Sequence, residues 1–222
     1  MRISFVCAMV AIGAVALSAR AADPDVSTPQ GAQKVMRMAI EKGDEKEVRK
    51  LLHATTPGEE KLADALAANT VAGSELFKTA SGKWGEDETR KQLIGVAGLP
   101  PKASDEEKMK WKIEGDRATL EDTPGEKHVG AGLRKIDGAW KMAMSDITAG
   151  EPDARVVQMV SMIEKQTELQ KQAKKETDAG KYASASDLRS AMTEKMQALI
   201  REMAAGLRAA PATAPASGGA GK

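Results

Sequence analysis

The sequence predicts an α+β fold in which N-terminal helices cover a curved antiparallel meander of four strands, and a helical hairpin follows. Changes of hydrophobic period along the chain carry this prediction. Apolar residues recur at helical spacing after residue 31, alternate with polar residues from Met109 to Met144, and return to helical spacing after residue 152. A sheet with one apolar face needs a cover, and the upstream helices are available for it.

The first 21 residues are predicted to be a secretory signal. Arg2 precedes an apolar run over residues 3–17, and residues 19–21 (Ala-Arg-Ala) have the small-x-small pattern of a cleavage site. The run is shorter than the ~20 residues that a membrane-spanning helix needs. We therefore expect cleavage near Ala22 and export to the periplasm or the extracellular space, with an uncleaved N-terminal anchor as the alternative.

Charge and cysteine content exclude several classes of function. The chain has 33 basic and 32 acidic residues, and loss of residues 1–21 removes two arginines and no acid, which leaves a net charge of −1. Nucleic acid is therefore not expected as a partner. Stable membrane insertion is not expected either, because no stretch after residue 21 is apolar enough to span a membrane. Cys7 is the only cysteine and lies in the signal. Disulfides, a thiolate nucleophile and thiolate metal ligands are not expected either.

The helical part of the chain begins after a polar, proline-containing stretch, residues 22–30, which is predicted to be a flexible lead-in. Two helices are expected to meet where Gly43 interrupts the first and the carboxylate of Asp44 caps the second. Thr56 and Pro57 predict the start of a third helix, because proline is favoured at the first helical position.

A shorter helix is expected over residues 87–94, followed by a loop over residues 95–104. Four strands then follow, and residues 115–116 (Gly-Asp) and 137–138 (Asp-Gly) supply the turns of two hairpins. The residues expected on the apolar face of these strands are Met109, Trp111, Ile113, Ala118, Leu120, Val129, Ala131, Leu133, Trp140, Met142 and Met144.

Three stretches, 39–52, 115–118 and 133–142, contain a helix break, a strand turn and a closing strand with a Trp-Lys pair. Together they resemble the nuclear-transport-factor-two-like superfamily, which includes the SnoaL-like and ketosteroid-isomerase-type cone folds, and within it the small exported bacterial domains. The resemblance covers about residues 31–148 and implies a cone-shaped domain. Enzymes of the superfamily perform acid–base chemistry inside the cone with Asp, His or Tyr. The short strand pair that the family places between its second and third helices is not evident here.

A helical hairpin is predicted over residues 152–207, after the pattern breaks at residues 149–152. Its apolar stripe is rich in Met and Leu, and two helices alone cover such a stripe only in part. The remaining edge is expected to bind a protein partner or a second copy of the chain. A chain ending at Ala149 is accordingly expected to fold and to lose association. Residues 208–222 are predicted to be disordered.

Few titratable groups fall on the predicted inner face. Asp122 and Asp146 follow the apolar alternation of their strands, and His53 follows an apolar pair, so these three are the candidate acid–base residues. Structural roles in turns and caps are the alternative. No phosphate-binding loop, nucleophile elbow, dinucleotide fingerprint or paired-histidine zinc motif occurs, and neither a cofactor nor a metal is expected.

Three apolar residues, Trp111, Trp140 and Met142, are candidates for holding a small apolar ligand in the cone, with core packing as the alternative. Taken together, the sequence predicts an exported, non-enzymatic binding or scaffold protein. The competing expectation is a small-molecule isomerase or dehydratase-like enzyme that uses a carboxylate in the cone pocket.

Overall fold

A computed structural model describes residues 25–93, 109–121, 132–149 and 151–209, and the fold is α+β as predicted. In chain order, its elements are α1 (Pro29–Lys42), α2 (Glu45–Lys50), β1 (Leu52–His53), α3 (Pro57–Trp84), α4 (Glu86–Leu93), β2 (Trp111–Glu114), β3 (Arg117–Leu120), β4 (Leu133–Ile136), β5 (Ala139–Ala143), α5 (Met144–Ile147), α6 (Asp153–Asp178) and α7 (Ala185–Ala209).

The predicted break at Gly43–Asp44 and the predicted start of the third helix at Thr56–Pro57 are confirmed, and capping explains both, whereas α1 begins at Pro29, within the predicted lead-in. Gly43 ends α1 in the left-handed conformation with φ 72°, which glycine adopts without steric cost. The carboxylate of Asp44 accepts a hydrogen bond from the backbone N–H of Glu47 at 3.1 Å and so begins α2. The hydroxyl of Thr56 accepts from the N–H of Glu59 at 3.2 Å at the start of α3.

The sheet differs from the predicted four-strand antiparallel meander. Strands β2 to β5 are antiparallel neighbours, but β1 adds a fifth strand parallel to β5, with Leu52 opposite Met142. The sheet is therefore mixed, with the order β1-β5-β4-β3-β2. Strand β1 has only two residues, too few to show alternation in a sequence. The side chain of Arg49 supports it by donating to the backbone oxygen of Leu52 at 2.9 Å.

Three positions predicted on the apolar strand face are wrong. Met109 lies before β2, which begins at Trp111. Met144 is buried as expected, but it begins α5, because the strand ends at Ala143. Ile113 is 52% exposed, since it lies on β2, which forms the edge of the sheet. Val129 and Ala131 lie outside the described residues.

The apolar core runs through the boundary predicted at residues 149–152. Val160 of α6 is buried in one cluster with Ile40 of α1 and Leu62 of α3. Leu188 of α7 is buried in a second cluster with Leu76 of α3. Helices α6 and α7, which occupy the region of the predicted hairpin, thus bury part of their apolar residues against the preceding helices, while Val157, Met162 and Ile200 stay exposed.

The N-terminal end of the described chain is tied to the sheet. The backbone N–H of Trp140 donates to the oxygen of Val26 at 2.8 Å, and its indole N–H donates to the oxygen of Ser27 at 3.0 Å. Residues 25–28 of the predicted flexible lead-in are therefore held in place by β5. The predicted signal, the loop over residues 95–104 and residues 210–222 of the predicted tail lie outside the described residues.

Candidate functional site

Three of the residues singled out from the sequence are the candidate acid–base groups, and two of them are described. His53 lies on β1 and lines an open cleft of about 450 Å³ together with Arg117 and Arg134. The cleft is on the face of the sheet opposite Met142, because His53 is in register with Ala143, the next residue along β5. Asp122 lies outside the described residues.

Asp146 is on α5 rather than at the end of a strand, and two arginines neutralise it. Its carboxylate accepts two hydrogen bonds from Arg134, one of them from Nε at 3.0 Å, and lies 3.5 Å from a guanidinium nitrogen of Arg117. The hydrogen bonds and charge of Arg134 hold the pKa of Asp146 below its ordinary value. A carboxylate with a lowered pKa is a weak general base, so this arrangement favours a structural role.

The aromatic residues proposed to hold a ligand are packed among other side chains. Trp140 is 4% exposed and lies in a cluster with Ala118 and Leu133, and Trp111 and Met142 are partly buried against it. Neither the cleft at His53 nor the groove described below is lined by these three candidates. The structure gives them a packing role, and their binding of a small apolar ligand remains a prediction.

A second, wider opening is a groove of about 1220 Å³ between α3, α6 and α7, here called the interhelical groove. Its apolar lining consists of Ala65, Ala68, Leu169, Ala198 and Leu199. The sequence does not predict this groove, because its shape depends on how three helices diverge. The sequence does contain one signal of it, a regular spacing of charged residues on one face of α6.

Hydrogen bonds between side chains set the alignment of α3 with α6. The amide nitrogen of Asn69 donates to the hydroxyl of Thr167 at 3.1 Å and to the side-chain oxygen of Gln170 at 3.3 Å. Near the other end, Lys83 donates to the backbone oxygens of Thr177 and Asp178. The two helices therefore run parallel, and Thr167 and Gln170 are buried between them with their side-chain oxygens bonded to Asn69.

The charges around the interhelical groove are separated by sign. Helix α7 runs antiparallel to α6, as the 3.0 Å ion pair between Lys165 and Glu202 shows. At this end of the groove lie three acidic side chains, Glu164, Glu168 and Glu202, and one basic side chain, Lys165. At the opposite end lie four basic side chains, Lys171, Lys174, Lys175 and Lys195, and one acidic side chain, Glu75. One end is thus acidic and the other basic.

Glu176 fixes the turn between α6 and α7. Its carboxylate accepts hydrogen bonds from Lys181 at 2.8 Å, from the hydroxyl of Tyr182 and from Lys195 at 3.0 Å. Together these bonds lower the pKa of Glu176 to about 2. The carboxylate therefore stays ionised in the folded protein and holds α7 beside α6, which maintains the wall of the groove.

Within the described ranges, no group of three or more His, Cys, Asp or Glu side chains is placed to hold a metal ion. None of the helices described is both long and apolar enough to cross a membrane. Comparison with known proteins finds no matching family model, no similar curated protein and no similar solved structure.

Proposed function

We propose that this chain is an exported, non-enzymatic binding protein whose interhelical groove receives an amphipathic helix of a polypeptide partner. The observation that carries the proposal is the groove itself, with its volume of about 1220 Å³, its apolar lining and its charged ends. Export is supported by the pattern of residues 1–21.

The shape of the groove supports a helix as the occupant. Three of its lining residues, Ala65, Ala68 and Ala198, have small side chains that allow the backbone of an incoming helix to approach closely. Leu169 and Leu199 supply the larger apolar contacts. An apolar floor between charged margins is the arrangement that receives amphipathic helices. The opposite charges at the two ends would set the direction of that helix.

Asp146 supports a binding role over an enzymatic one. Arg134 and Arg117 already neutralise its carboxylate, and this lowers its pKa. The alternative isomerase or dehydratase-like activity needs a base whose pKa lies nearer to neutrality. The proposed cone-fold kinship of residues 31–148 is supported by the helix break at Gly43 and by the antiparallel order of β2 to β5.

A designed peptide tests the proposal. The probe is a fluorescein-labelled amphipathic helix with one leucine stripe, glutamates in its N-terminal half and lysines in its C-terminal half. It is added to the purified chain at a low protein concentration, and its fluorescence anisotropy is measured. We expect saturable binding that Ala198→Arg weakens about tenfold or more, since the added charged side chain projects from the wall of the groove.

The matched control is Thr193→Arg, which adds the same side chain at an exposed position of α7 that does not line the groove. This variant is expected to bind the peptide like the unchanged chain. Absence of saturable binding, or equal weakening by both substitutions, overturns the proposed function.

A further inference from the structure

One face of α6 has a regular pattern of charge. Glu164, Glu168, Lys171 and Lys175 are spaced at i, i+4, i+7 and i+11, which places them on the same side of the helix. All four are exposed, and all four line the interhelical groove. The distance along the helix from the first to the last is about 16 Å, so Glu164 and Lys175 lie far apart, whereas Glu168 and Lys171 are neighbours at the middle of the pattern.

This pattern is complementary to itself when one copy is turned end to end. If α6 lies antiparallel to α6 of a second copy, Glu164 of one faces Lys175 of the other, and Glu168 faces Lys171. Both contacts occur twice, because the interface is two-fold symmetric. Leu169 is close to the two-fold axis along the helix, but it projects about 130° around α6 from the charged face, on the side towards α7.

The neighbouring side chains of the groove increase the same polarity. Glu202 lies at the acidic end, and Lys174 and Lys195 lie at the basic end. Across the whole groove, the acidic end has three carboxylates and one lysine, and the basic end has four lysines and one carboxylate. Antiparallel contact between two copies therefore places opposite net charges against each other at both ends.

The three neighbouring charges are already paired within the chain: Glu202 with Lys165, Lys174 with Asp178 and Lys195 with Glu176. The four charges on the face of α6 are less engaged. Neither Glu164 nor Lys175 forms an ion pair within the described residues. Glu168 and Lys171 form a 3.0 Å pair within one chain, but both side chains are more than half exposed, so this pair contributes little. Exchanging it for a contact with another chain costs correspondingly little.

We propose that the occupant of the interhelical groove is a second copy of this chain, bound through the same face in a two-fold dimer with antiparallel α6 helices. This inference rests on the proposed function, because it names the partner for the same groove. The dimer is stabilised by the charge contacts between the two α6 helices, and their strength falls as salt is added.

Charge reversal at one end or the other tests the dimer. Sedimentation velocity is measured on the purified chain and on two double variants, Glu164→Lys/Glu168→Lys and Lys171→Glu/Lys175→Glu. The unchanged chain is expected to be a dimer. Each double variant places like charges together at both ends, and we expect its dimer Kd to rise roughly a hundredfold. A third variant, Glu60→Lys/Glu121→Lys, makes the same change of charge as the first double variant, but at exposed sites outside the groove. It is expected to remain dimeric.

Mixing the two variants gives the decisive result. In a mixed pair, the lysines at positions 164 and 168 face the glutamates at positions 171 and 175, and the unchanged ends also attract each other. An equimolar mixture is therefore expected to form a heterodimer although each variant alone is monomeric. Circular dichroism of every variant shows whether it is folded before it is mixed.

Three results overturn the inference. They are a monomeric unchanged chain, a dimer that both reversals leave intact, and reversed variants that are folded but do not pair when mixed. If the unchanged chain is monomeric and the designed peptide still binds in a manner sensitive to Ala198→Arg, the second-copy partner is wrong and the proposed function stands. If the unchanged chain is monomeric and the designed peptide does not bind either, both the dimer and the proposed function are wrong.

Discussion

Glu59 accepts a hydrogen bond from the hydroxyl of Thr148 at 3.1 Å and thereby joins the first turn of α3 to the residue that ends α5. Its other carboxylate oxygen accepts from the N–H and the hydroxyl of Thr55, at 2.7 and 2.8 Å. Glu59 is only 7% exposed. Burial alone raises its pKa, but the hydrogen bonds from Thr55 and Thr148 outweigh this, and the pKa of Glu59 lies below its ordinary value.

Replacing Glu59 is therefore expected to destabilise the protein. Glu59→Gln exchanges one acceptor oxygen for a donor and removes the charge, and we expect a loss of about 1–3 kcal/mol in the free energy of unfolding. The control is Glu60→Gln, on the exposed side of the same helix, with an expected change within about 0.5 kcal/mol. Urea melts measure both. Equal losses would show that the buried hydrogen bonds contribute nothing specific.

Thr148→Val tests the contact from its other side. In a double-mutant cycle with Glu59→Gln, we expect a coupling energy of about 0.5–3 kcal/mol, because the two side chains touch directly. The same urea melts give the four free energies that the cycle requires. Losses that simply add would contradict a direct interaction.

Local chemistry explains which parts of the fold the sequence predicts. Gly43, Asp44 and Thr56 each determine a helix boundary through their own backbone or side chain, and such effects need no distant partner. Residues 137–138 likewise form their turn with positive φ at both positions. These features were predicted correctly because the information is contained within a few neighbouring residues.

The errors arise where distant packing decides the structure. The two residues of β1 become a strand only because β5 lies beside them. Met144 continues the alternation of β5, so the sequence does not reveal that a helix begins there and carries Asp146 to the arginines. The interhelical groove depends on the alignment of α3 with α6, which the half-buried side chain of Asn69 helps to set across about a hundred residues of sequence.

Glu176 predicts a specific dependence of stability on pH. Its folded pKa of about 2 lies below the ~4.3 of an unfolded glutamate. Its stabilising contribution is therefore complete above about pH 4.3 and is lost as the pH falls through the folded pKa. We expect Glu176→Gln to lower the free energy of unfolding by about 1–3 kcal/mol at pH 7, and this difference to shrink steadily between about pH 4.3 and pH 2.

Denaturant melts of the unchanged chain and the variant across that range measure the difference. Glu194→Gln, at an exposed position of α7 that does not line the interhelical groove, is the control. A difference that stays constant between pH 7 and pH 2 would contradict the role of the ionised Glu176 carboxylate.

Trp140 is expected to be the most sensitive position of the sheet. It is buried against Ala118 and Leu133, and its indole N–H is bonded to Ser27. Trp140→Ala should therefore cost about 3–5 kcal/mol in the free energy of unfolding. Lys141→Ala, on the opposite face of the same strand, should change it by no more than about 0.5 kcal/mol. Guanidinium melts that give similar small losses at both positions would show that the burial of Trp140 is not what stabilises the sheet.

Truncation tests whether the chain folds as one unit. The sequence alone predicts that a chain ending at Ala149 folds, but the structure leads us to expect the opposite. Removal of α6 uncovers Leu62, which is buried in one cluster with Val160, and leaves Asn69 without the two side-chain acceptors to which it donates. The first change exposes apolar surface and the second leaves a polar group without a partner, and each lowers the free energy of unfolding.

We therefore expect the truncated chain to lose its cooperative thermal transition, as measured by circular dichroism. The control retains α6 and α7 and carries a short Gly-Ser insertion after Ala149, at the connection between α5 and α6. Because a longer surface connection changes stability only slightly, this chain should melt cooperatively near the temperature of the unchanged chain. If the truncated chain also melts cooperatively, residues up to 149 fold alone, and the contact between α3 and α6 is a docking of two units rather than a shared core.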